Sequence, residues 1–242
     1  MITSLTDSLN ERLSGKVRVA IFGRGAMSDL MASYIGESQS AAVVAYIESG
    51  NDIRATSHNG KPVISLPEVS DHLPRDSMFY VAVGYSGLNA VREKFYLELK
   101  ELGYAPFSFL HPRASISTAA NVGDHAWIME NAAIQCMCEI GDNSVIHMGA
   151  NIAHHSKIGR NCFVAQGANV CGYVSVGRNC FIGAGAIIHN NLRIGSNCVI
   201  GAGVVVKQDM PDDSFLAHSD GDLKGNATEH FSKWLETVRS RL

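Results

Sequence analysis

The chain has 242 residues and a formal net charge of −3 at pH 7, with 20 Lys and Arg against 23 Asp and Glu. This near balance gives no bulk positive charge of the kind that binds nucleic acid or an anionic membrane surface. With 46% hydrophobic and 18% charged residues, the chain can bury a core and is not expected to be disordered. No apolar run approaches a membrane span, and residues 1–13 lack the apolar stretch of a signal peptide. The six cysteines are therefore expected to be reduced thiols in a cytoplasmic protein.

The first part of the chain alternates between strand and helix patterns. Strands are predicted at Lys16–Phe22, Ala42–Ile47, Met78–Val83 and Ala105–Leu110, and helices at Met27–Ile35 and Leu88–Leu102. The second helix is expected to turn Arg92, Lys94, Glu98 and Lys100 towards solvent. This order predicts a small, open, Rossmann-like α/β sheet over residues 1–111.

The turn between the first strand and the first helix contains Gly23 and Gly25. Glycines at such a turn allow backbone N–H groups to approach a phosphate. Ser28 stands where a full dinucleotide fingerprint would have its third glycine. Glu48 ends the second strand, where an acidic residue could hold a ribose. The pattern is consistent with nucleotide contact and also with plain turn glycines.

From Ile116 to Val206, every sixth residue is Ile or Val. The positions are Ile116, Val122, Ile128, Ile134, Ile140, Ile146, Ile152, Ile158, Val164, Val170, Val176, Ile182, Ile188, Ile194, Ile200 and Val206. A period of six fits neither a helical face nor strand alternation, and it is typical of a hexapeptide β-helix.

A period of eighteen lies within this repeat. The pairs Val122-Gly123, Ile140-Gly141, Ile158-Gly159, Val176-Gly177 and Ile194-Gly195 recur at that spacing, each followed by a turn-like segment. Three hexads therefore make one coil, and residues 112–208 are predicted to form a triangular prism of short parallel strands, which resembles the known left-handed hexapeptide β-helices. The glycines and asparagines of the turns are expected at positive φ. Cys162, Cys180 and Cys198 recur at the same period and are expected to point inward; a zinc site is the alternative.

Residues 209–242 are predicted to form a turn region and a helix. The helix is expected over Asn226–Leu242, with Asn226 and Glu229 as a capping pair. Its apolar stripe contains Phe231, Trp234, Leu235, Val238 and Leu242. The stripe is expected to pack on a neighbouring subunit or back on the coils.

His154 and His155 depart from the repeat near the middle of the predicted prism. The residues eighteen positions from His154, before and after, are Cys136 and Gly172. A residue that breaks a regular pattern indicates function more often than fold. Catalysis, a surface pair and metal binding are the three interpretations considered.

Several motifs together resemble a known family. They are the α/β front, Ile152-Ala153-His154-His155-Ser156-Lys157-Ile158-Gly159, Asn161-Cys162-Phe163 and Ile182-Gly183-Ala184-Gly185. This combination resembles the hexapeptide-repeat sugar acyltransferases typified by the sialic acid O-acetyltransferase and the bacillosamine-pathway N-acetyltransferase. The resemblance implies homotrimers in which acetyl-CoA lies between two prisms and a nucleotide sugar binds the N-terminal domain.

The resemblance also implies roles for individual residues. It makes His154 a general base, with His155 at the position of the family's acidic residue. His155 could fix the tautomer of His154 but brings no negative charge. Contacts to acetyl-CoA are implied for Phe163, Ala184 and Ala202, and Gly172 is expected to leave room for the acyl group. Contacts to the nucleotide sugar are implied for Gly25, Ala26, Met27, Glu48, Gly84 and Asn89, in addition to Gly23, and no metal is expected.

The first functional hypothesis is N-acetylation of a nucleotide-linked amino-deoxysugar by acetyl-CoA. The alternative is O-acetylation of a sugar hydroxyl, as in sialic acid modification. A metal-dependent prism protein of the carbonic anhydrase type would need three converging histidines, and His147 is the further candidate near the pair. A non-catalytic prism scaffold would leave the N-terminal domain unexplained.

Overall fold

A computed structural model describes residues 15–38, 40–50, 56–217, 223–224, 228–229, 231–233 and 236. The chain divides into two compact units. Unit 1 comprises Met1–Val83 and Phe95–Phe107, and unit 2 comprises Gly84–Lys94 and Ser108–Leu242. The three-part division at residues 111 and 208 expected from the sequence stays a prediction.

Unit 1 is built on a six-stranded sheet of order β3-β4-β2-β1-β5-β6. Its strands are β1 Val17–Phe22, β2 Ala41–Glu48, β3 Ser57–His58, β4 Lys61–Ser65, β5 Met78–Val81 and β6 Ala105–Pro106. Its helices are α1 Ala26–Glu37, α2 Val69–His72 after a 3-10 turn at Leu66–Glu68, and the second half of α3 Ala90–Glu101. All neighbouring strands are parallel except β3 and β4, which form a hairpin. The predicted α/β fold of this region is confirmed.

The central strand β1 shows why this sequence makes a parallel sheet. Val19, Ala20 and Ile21 are completely buried in β1, which lies between β2 and β5 in the sheet. A strand covered on both faces carries a continuous apolar run instead of alternating polar residues. Phe22, at the end of the strand, stacks on Phe95 of α3 with 4.0 Å between ring centroids.

Helix α3 begins two residues later than the sequence pattern predicts. Leu88 and Asn89 have φ values of 53° and 68°, in the left-handed region, so the helix starts at Ala90. Two consecutive left-handed residues cannot continue a right-handed helix.

The prediction that Arg92 faces solvent is wrong. Its side chain is completely buried in unit 2, and its guanidinium donates hydrogen bonds to three backbone carbonyl groups. The acceptors are Gly84 O at 2.7 Å, Asn143 O at 3.2 Å and Cys162 O at 3.3 Å. The turns of a β-helix offer such carbonyl oxygens, and a guanidinium with five donors can bind several of them together.

Unit 2 is a left-handed parallel β-helix with three faces, as predicted. The first face contains β7 Phe109–Leu110, β10 Trp127–Ile128, β13 Val145–Ile146, β16 Phe163–Val164, β19 Phe181–Ile182, β22 Val199–Ile200, β24 Phe215–Leu216 and β25 Leu223–Lys224. The second face contains β8 Ser115–Ile116, β11 Ala133–Ile134, β14 Asn151–Ile152, β17 Asn169–Val170, β20 Ile187–Ile188 and β23 Val205–Val206. The third face contains β9 Asn121–Val122, β12 Glu139–Ile140, β15 Lys157–Ile158, β18 Ser175–Val176 and β21 Arg193–Ile194.

The second residue of each repeat strand points into the prism and builds its core. From Ile128 to Val206 these Ile and Val side chains are at most 3% exposed, whereas Ile116 and Val122, at the end of the stack, are half-buried. Cys162, Cys180 and Cys198 lie inside this core, as predicted. Hydrogen bonds with the neighbouring Cys162 and Cys198 thiols, together with burial, raise the pKa of Cys180.

The glycines that recur every eighteen residues have a different role from the one predicted. They are not at positive φ. A Cβ on Gly159 would lie 2.5 Å from the carbonyl oxygen of Gly177 on the next coil. These positions therefore need glycine because two backbones approach closely.

The asparagines of the same turns do take the left-handed conformation that the sequence predicts. Asn143, Asn161, Asn179 and Asn197 have φ values between 56° and 60°. Each side-chain amide donates to the side chain on the following coil, at 2.8, 2.7, 3.2 and, to Asp213, 3.0 Å. We call this column of four asparagines the asparagine ladder.

Both ends of the prism differ from the sequence prediction. The strand expected over Ala105–Leu110 is two short strands, β6 in the sheet of unit 1 and β7 in the first face of the prism. The stretch after Val206, predicted as turns, adds another layer, because Phe215 pairs with Val199. The spacing there is sixteen instead of eighteen, so the hexapeptide pattern does not reveal it.

Most of the predicted helix Asn226–Leu242 lies outside the described residues, including Asn226, Trp234, Leu235, Val238 and Leu242. The described positions 228–229, 231–233 and 236 are helical. Phe231 is 1% exposed and packs on Phe181 of the coils and on Tyr85, at centroid distances of 5.6 and 5.9 Å. Within the part of the chain that the structure describes, no helix has the length and hydrophobicity needed to cross a membrane.

Candidate active site

The turns of the prism stack into three corners. The first corner joins the first face to the second, the second corner joins the second face to the third, and the third corner returns to the first face. His154 and His155 form the turn of the second corner between β14 and β15, and both side chains are exposed. Their Nδ1 atoms are 3.2 Å apart, with the two rings nearly perpendicular at 85°. We call the two side chains the histidine dyad.

The neighbouring coils hold the first histidine of the dyad from both sides. The backbone N–H of His154 donates to Oε1 of Gln135 at 3.0 Å on one side. Its carbonyl oxygen accepts from the N–H of Tyr173 at 3.1 Å on the other. The backbone of His154 is thus hydrogen-bonded to both neighbouring coils.

Gly172 lies under the imidazole of His154. A Cβ at position 172 would come within 2.7 Å of Cε1 and 3.0 Å of Nε2 of that ring. The room expected here for an acyl group is therefore taken by the His154 ring itself. Contact between Gly172 and acetyl-CoA stays a prediction.

The dyad can carry one proton between its two Nδ1 atoms. A neutral imidazole has one N–H donor and one acceptor, so one ring must donate and the other accept. If His154 donates from Nδ1, its Nε2 keeps a lone pair that can take a proton from a substrate. If both rings become protonated, two N–H groups face each other and the hydrogen bond is lost.

Tyr173 is a residue at this site that the sequence analysis missed. Its ring stacks on His155, with 4.7 Å between centroids and 19° between planes. The same ring meets His154 edge-on, at 5.3 Å and 82°. The sequence does contain a signal for it, because Tyr173 lies eighteen residues after His155 and therefore one coil further along the same corner.

The predicted acetyl-CoA residues lie elsewhere on the prism. Ala184 and Ala202 occupy equivalent turns of the first corner, half-buried and exposed respectively. Phe163 is on the first face, 3% exposed, between the rings of Phe181 and Tyr85 at 5.8 and 5.3 Å. Within one chain, the structure does not bring these residues to the corner that carries the dyad.

An open groove of about 560 Å³ runs along the third face of the prism. Its lining includes Glu139 and Lys157, which form an ion pair at 2.7 Å. None of the sequence-predicted site residues lines this groove.

The predicted nucleotide-sugar residues of unit 1 do come together, at the turn from β1 into α1. Gly23, at φ 102°, donates its N–H to Ile47 O of β2 at 2.8 Å. Gly25 is the N-cap of α1, and a Cβ there would have no atom within 4 Å. Ala26 and Met27 form the exposed and half-buried start of the helix. The N–H groups of Ala26 and Met27, at the start of α1, have no acceptor within the helix, and the space beside Gly25 that a side chain would fill is empty.

Glu48, at the end of β2, is bound by an arginine of the same turn. Arg24 Nη2 donates to Glu48 Oε2 at 2.8 Å, and Arg24 Nε donates to Oε1 at 2.5 Å. Both side chains are about one quarter exposed. A bidentate pair of this kind fixes the orientation of the carboxylate and neutralises its charge. A ribose bound at the end of β2 would therefore contact the ion pair and not a free carboxylate.

A second polar cluster ties α1 to the β3–β4 hairpin. His58 Nε2 and Asn59 Nδ2 lie 2.8 and 2.9 Å from Asp29 Oδ1. The hydrogen bond to His58 lowers the pKa of the Asp29 carboxyl, and the bond from Asn59 adds to this effect. The turn of the hairpin is Asn59-Gly60, with both residues at positive φ.

Gly84 and Asn89 belong to unit 2, whereas the residues of the β1–α1 turn belong to unit 1. Asn89 is completely buried. Its Nδ2 donates to Cys180 O at 3.2 Å, and its Oδ1 accepts from Arg92 at 3.0 Å. The Asn89 amide is thus used to attach the 84–94 segment to the prism, and its ligand contact stays a prediction.

The histidine proposed as a third metal ligand lies at a different corner from the dyad. His147 is in the first corner, after β13, and burial lowers its pKa. Among the residues that the structure describes, no three His, Cys, Asp or Glu side chains are grouped to hold a metal ion.

Comparison with known proteins matches the repeat to the family described as bacterial transferase hexapeptide (six repeats), over residues 137–172 and 173–208. Of the solved structures, PerB from Caulobacter crescentus in complex with CoA and GDP-perosamine is 27% identical, with a TM-score of 0.75. That alignment covers 86% of this chain and 97% of PerB. No curated protein sequence matches the chain.

Two further structures have the same fold at lower identity. The acetyltransferase domain of PglB from Neisseria gonorrhoeae is 24% identical, with a TM-score of 0.74, covering 85% of this chain and 98% of that domain. WeeI from Acinetobacter baumannii is 17% identical, with a TM-score of 0.66, covering 86% of this chain and 100% of WeeI.

These findings define a hexapeptide-repeat transferase with an N-terminal α/β unit. The predicted resemblance to the hexapeptide-repeat sugar acyltransferases is confirmed, and so is the predicted class of enzyme, an acyltransferase.

Proposed function

We propose that the protein transfers the acetyl group of acetyl-CoA to the amino group of a nucleotide-linked amino-deoxysugar. The observation that carries the proposal is the exposed histidine dyad, held over Gly172 at one corner of a hexapeptide prism. The structure of PerB, which is 27% identical over nearly its full length, contains CoA and GDP-perosamine. A relative described as a perosamine N-acetyltransferase favours an amine over a hydroxyl as the acceptor.

In the proposed reaction, the sugar nitrogen attacks the carbonyl carbon of the thioester. Nε2 of His154 accepts the proton that the nitrogen loses as the new C–N bond forms. The C–S bond then breaks, and CoA leaves as a thiolate that takes up a proton, giving an amide and free CoA. General-base assistance of this kind is worth about 10²–10⁴ in rate.

His155 supports this role through the Nδ1–Nδ1 hydrogen bond. With His154 donating from Nδ1, Nε2 stays unprotonated and points away from the bond. The hydrogen bond persists when His154 takes up the proton, because the donor side is unchanged. His155 thereby selects the useful tautomer without contributing a charge.

We assign the two substrates to different units. In unit 1, the backbone N–H groups at the start of α1, with Gly23 and Gly25, would hold the diphosphate of the nucleotide sugar, because a helix N-terminus favours anions. In unit 2, acetyl-CoA would contact Phe163, Ala184 and Ala202. A phosphate at the β1–α1 turn would also meet the guanidinium of Arg24, whose side chain is about one quarter exposed.

We propose a homotrimer as the active assembly. The dyad is at the second corner and the residues proposed for acetyl-CoA are at the first corner and first face. A site that uses both would need a second prism beside the first, and the family resemblance implies such a trimer. All six cysteines are free thiols, which favours a reducing compartment such as the cytoplasm.

The function can be tested with purified protein, acetyl-CoA and a panel of UDP-, dTDP-, GDP- and CMP-linked amino sugars, by following the released CoA thiol. Each amino sugar is paired with the sugar that carries a hydroxyl at the same carbon. We expect thiol release with one or more amino sugars and a much lower rate with the matched hydroxy sugar. Preference for the hydroxy sugars would contradict N-acetylation, and no release with any pair would contradict sugar acetylation.

The assignment of the dyad is tested in the same assay. We expect His154→Ala to lower kcat by about 10²–10⁴. His155→Ala should cost less, because orientation is only part of the catalytic effect. Thermal unfolding should be little changed in both variants, since neither side chain is in the core. A larger loss from His155→Ala would contradict our choice of base.

A further inference from the structure

The second corner places unusual residues at its left-handed turn positions. In the first corner these positions are Asn131, Gly149, Gly167, Gly185 and Gly203, and in the third corner they are the asparagine ladder with His125 and Asp213. In the second corner they are Met137, His155, Tyr173 and Asn191. Positive φ is unfavourable for bulky side chains, and residues held in it cluster at functional sites.

Tyr173 is both strained and exposed. Its φ is 60° and its side chain is 54% exposed, so burial of the ring does not explain why the position is not Asn or Gly. The Tyr173 ring is stacked on the His155 ring, and it lies nearly perpendicular to the His154 ring in a T-shaped contact. The tyrosine therefore contacts both members of the dyad.

The dyad needs something to stabilise positive charge. When His154 accepts a proton, the pair becomes cationic, and its hydrogen bond joins two imidazoles with no carboxylate between them. The titratable groups on the adjoining elements are Cys136 and the buried Cys138 on the coil before, Cys171 and Tyr173 on the coil after, and Glu139 and Lys157 on β12 and β15. Glu139 and Lys157 neutralise each other in an ion pair of 2.7 Å. Of these groups, Tyr173 is the one whose ring is stacked on the dyad.

An aromatic ring attracts a cation placed over its face. Tyrosine stabilises such a cation by a modest amount at an exposed site, because the ring carries negative potential on both faces. When the proton of the Nδ1–Nδ1 hydrogen bond moves from His154 to His155, the positive charge lies on His155, whose imidazole is stacked parallel on a face of the Tyr173 ring. The same stacking prevents His155 from rotating away from His154.

We propose that Tyr173 is a positioning residue for acetyl transfer, which holds His155 in hydrogen-bonding contact with His154 and stabilises the positive charge that the dyad takes up. This inference rests on the proposed function, in which His154 is the base. The aromatic ring, not the hydroxyl group, performs the role.

The experiment compares Tyr173→Phe, Tyr173→Leu and Tyr173→Asn with Met137→Leu as the control from the same column. For each protein, kcat, both KM values, the pH profile of kcat/KM and the melting temperature are measured. Tyr173→Phe should stay within about twofold of the unmodified protein. Tyr173→Leu should lower kcat about tenfold, with the KM for acetyl-CoA nearly unchanged. Its ascending limb of kcat/KM should move about half a pH unit to lower pH, because the cation loses the ring.

Tyr173→Asn separates strain from function. Asparagine suits positive φ, so this variant should melt about 2 °C higher than the unmodified protein while its kcat falls like that of Tyr173→Leu. Met137→Leu should change none of these values. Equal losses in Tyr173→Phe and Tyr173→Leu would overturn the role of the ring. A normal kcat and pH limb in Tyr173→Leu would overturn the inference as a whole.

A measurement without turnover keeps this inference distinct from the proposed function. Imidazole NMR signals of the dyad are followed against pH in the unmodified protein and in Tyr173→Leu. The dyad should protonate about half a pH unit lower in the variant. Unchanged titration would overturn the inference even if the enzyme acetylates sugars. If the titration shifts but the protein transfers no acetyl group, the proposed function is refuted, whereas the effect of Tyr173 on protonation of the dyad is supported.

Discussion

The position of one imidazole depends on the absence of one methyl group. Gly172 has no side chain, and the His154 ring occupies the space that a Cβ would fill. The backbone N–H of His154 is bound by Gln135, and its ring contacts His155 and Tyr173, so displacement of the ring would break both ring contacts.

Gly172→Ala should therefore lower kcat by about 10²-fold, because displacement of a catalytic group by about 1 Å costs that much. Its free energy of unfolding should change much less, since the ring is at the surface and can rotate outward. Gly149→Ala is the matched control: its φ is +67°, and a Cβ there meets no atom within 4 Å. The control should lose about 1 kcal/mol of stability and keep its kcat. If Gly172→Ala instead keeps the kcat of the unmodified protein, the His154 ring is not held over Gly172 as described.

At the same scale, the sequence identified the dyad but not what surrounds it. His154 was visible because it interrupts a strict repeat, and the resemblance to acyltransferases gave it a role. Tyr173 and the contact between Gly172 and the imidazole depend on side-chain directions across neighbouring coils. The hexapeptide pattern gives the position of each residue in the stack but not the direction of an exposed ring.

At the scale of elements, the two units differ in how much the sequence reveals. The hexapeptide repeat determines the strands of the prism because every inward position must be Ile or Val to fill the same space in each coil. The hairpin of β3 and β4 was missed, although its Asn59-Gly60 turn is a standard hairpin signal. The burial of Arg92 could not be predicted, because its acceptors are carbonyl groups of Asn143 and Cys162, far along the chain.

The stacking of coils can be tested at Gly159. Gly159→Ala would place a Cβ 2.5 Å from Gly177 O and must push two backbone segments apart. We expect a loss of roughly 3 kcal/mol in the free energy of unfolding, the upper part of the range for single substitutions. Gly36→Ala, within α1, is the control: it contacts nothing and should be neutral or stabilise by up to about 1 kcal/mol. Equal melting temperatures for the two variants, measured by calorimetry, would contradict the close approach of the coils.

The turn into α1 can be tested at Gly25. The backbone of Gly25 is not left-handed and a Cβ there meets nothing within 4 Å, so Gly25→Val should fold normally. A branched side chain at the N-cap would nevertheless cover the N–H groups that we assign to the diphosphate. Steady-state kinetics should show a KM for the nucleotide sugar raised about tenfold or more, with the KM for acetyl-CoA almost unchanged. A similar rise in both KM values would contradict the assignment of the two substrates to separate units.

At the scale of the whole molecule, the proposed reaction requires more than one chain. The dyad and the residues proposed for acetyl-CoA occupy different corners of one prism. Sedimentation equilibrium at micromolar concentration should therefore give three times the mass of one chain. A stable monomer that retains full activity would contradict the trimer and the shared site.

The central claim is that His154 takes the proton of a sugar amine as the amide forms. The most direct measurement is the pH profile of kcat/KM for the best amino sugar, in the unmodified protein and in His154→Asn. The account predicts that kcat/KM of the unmodified protein rises with pH along an ascending limb, as expected of a histidine base that must be unprotonated to act. That limb should be absent in His154→Asn, with kcat/KM lower by about 10² or more at neutral pH. The same limb at nearly the same rate in both proteins would contradict the claim.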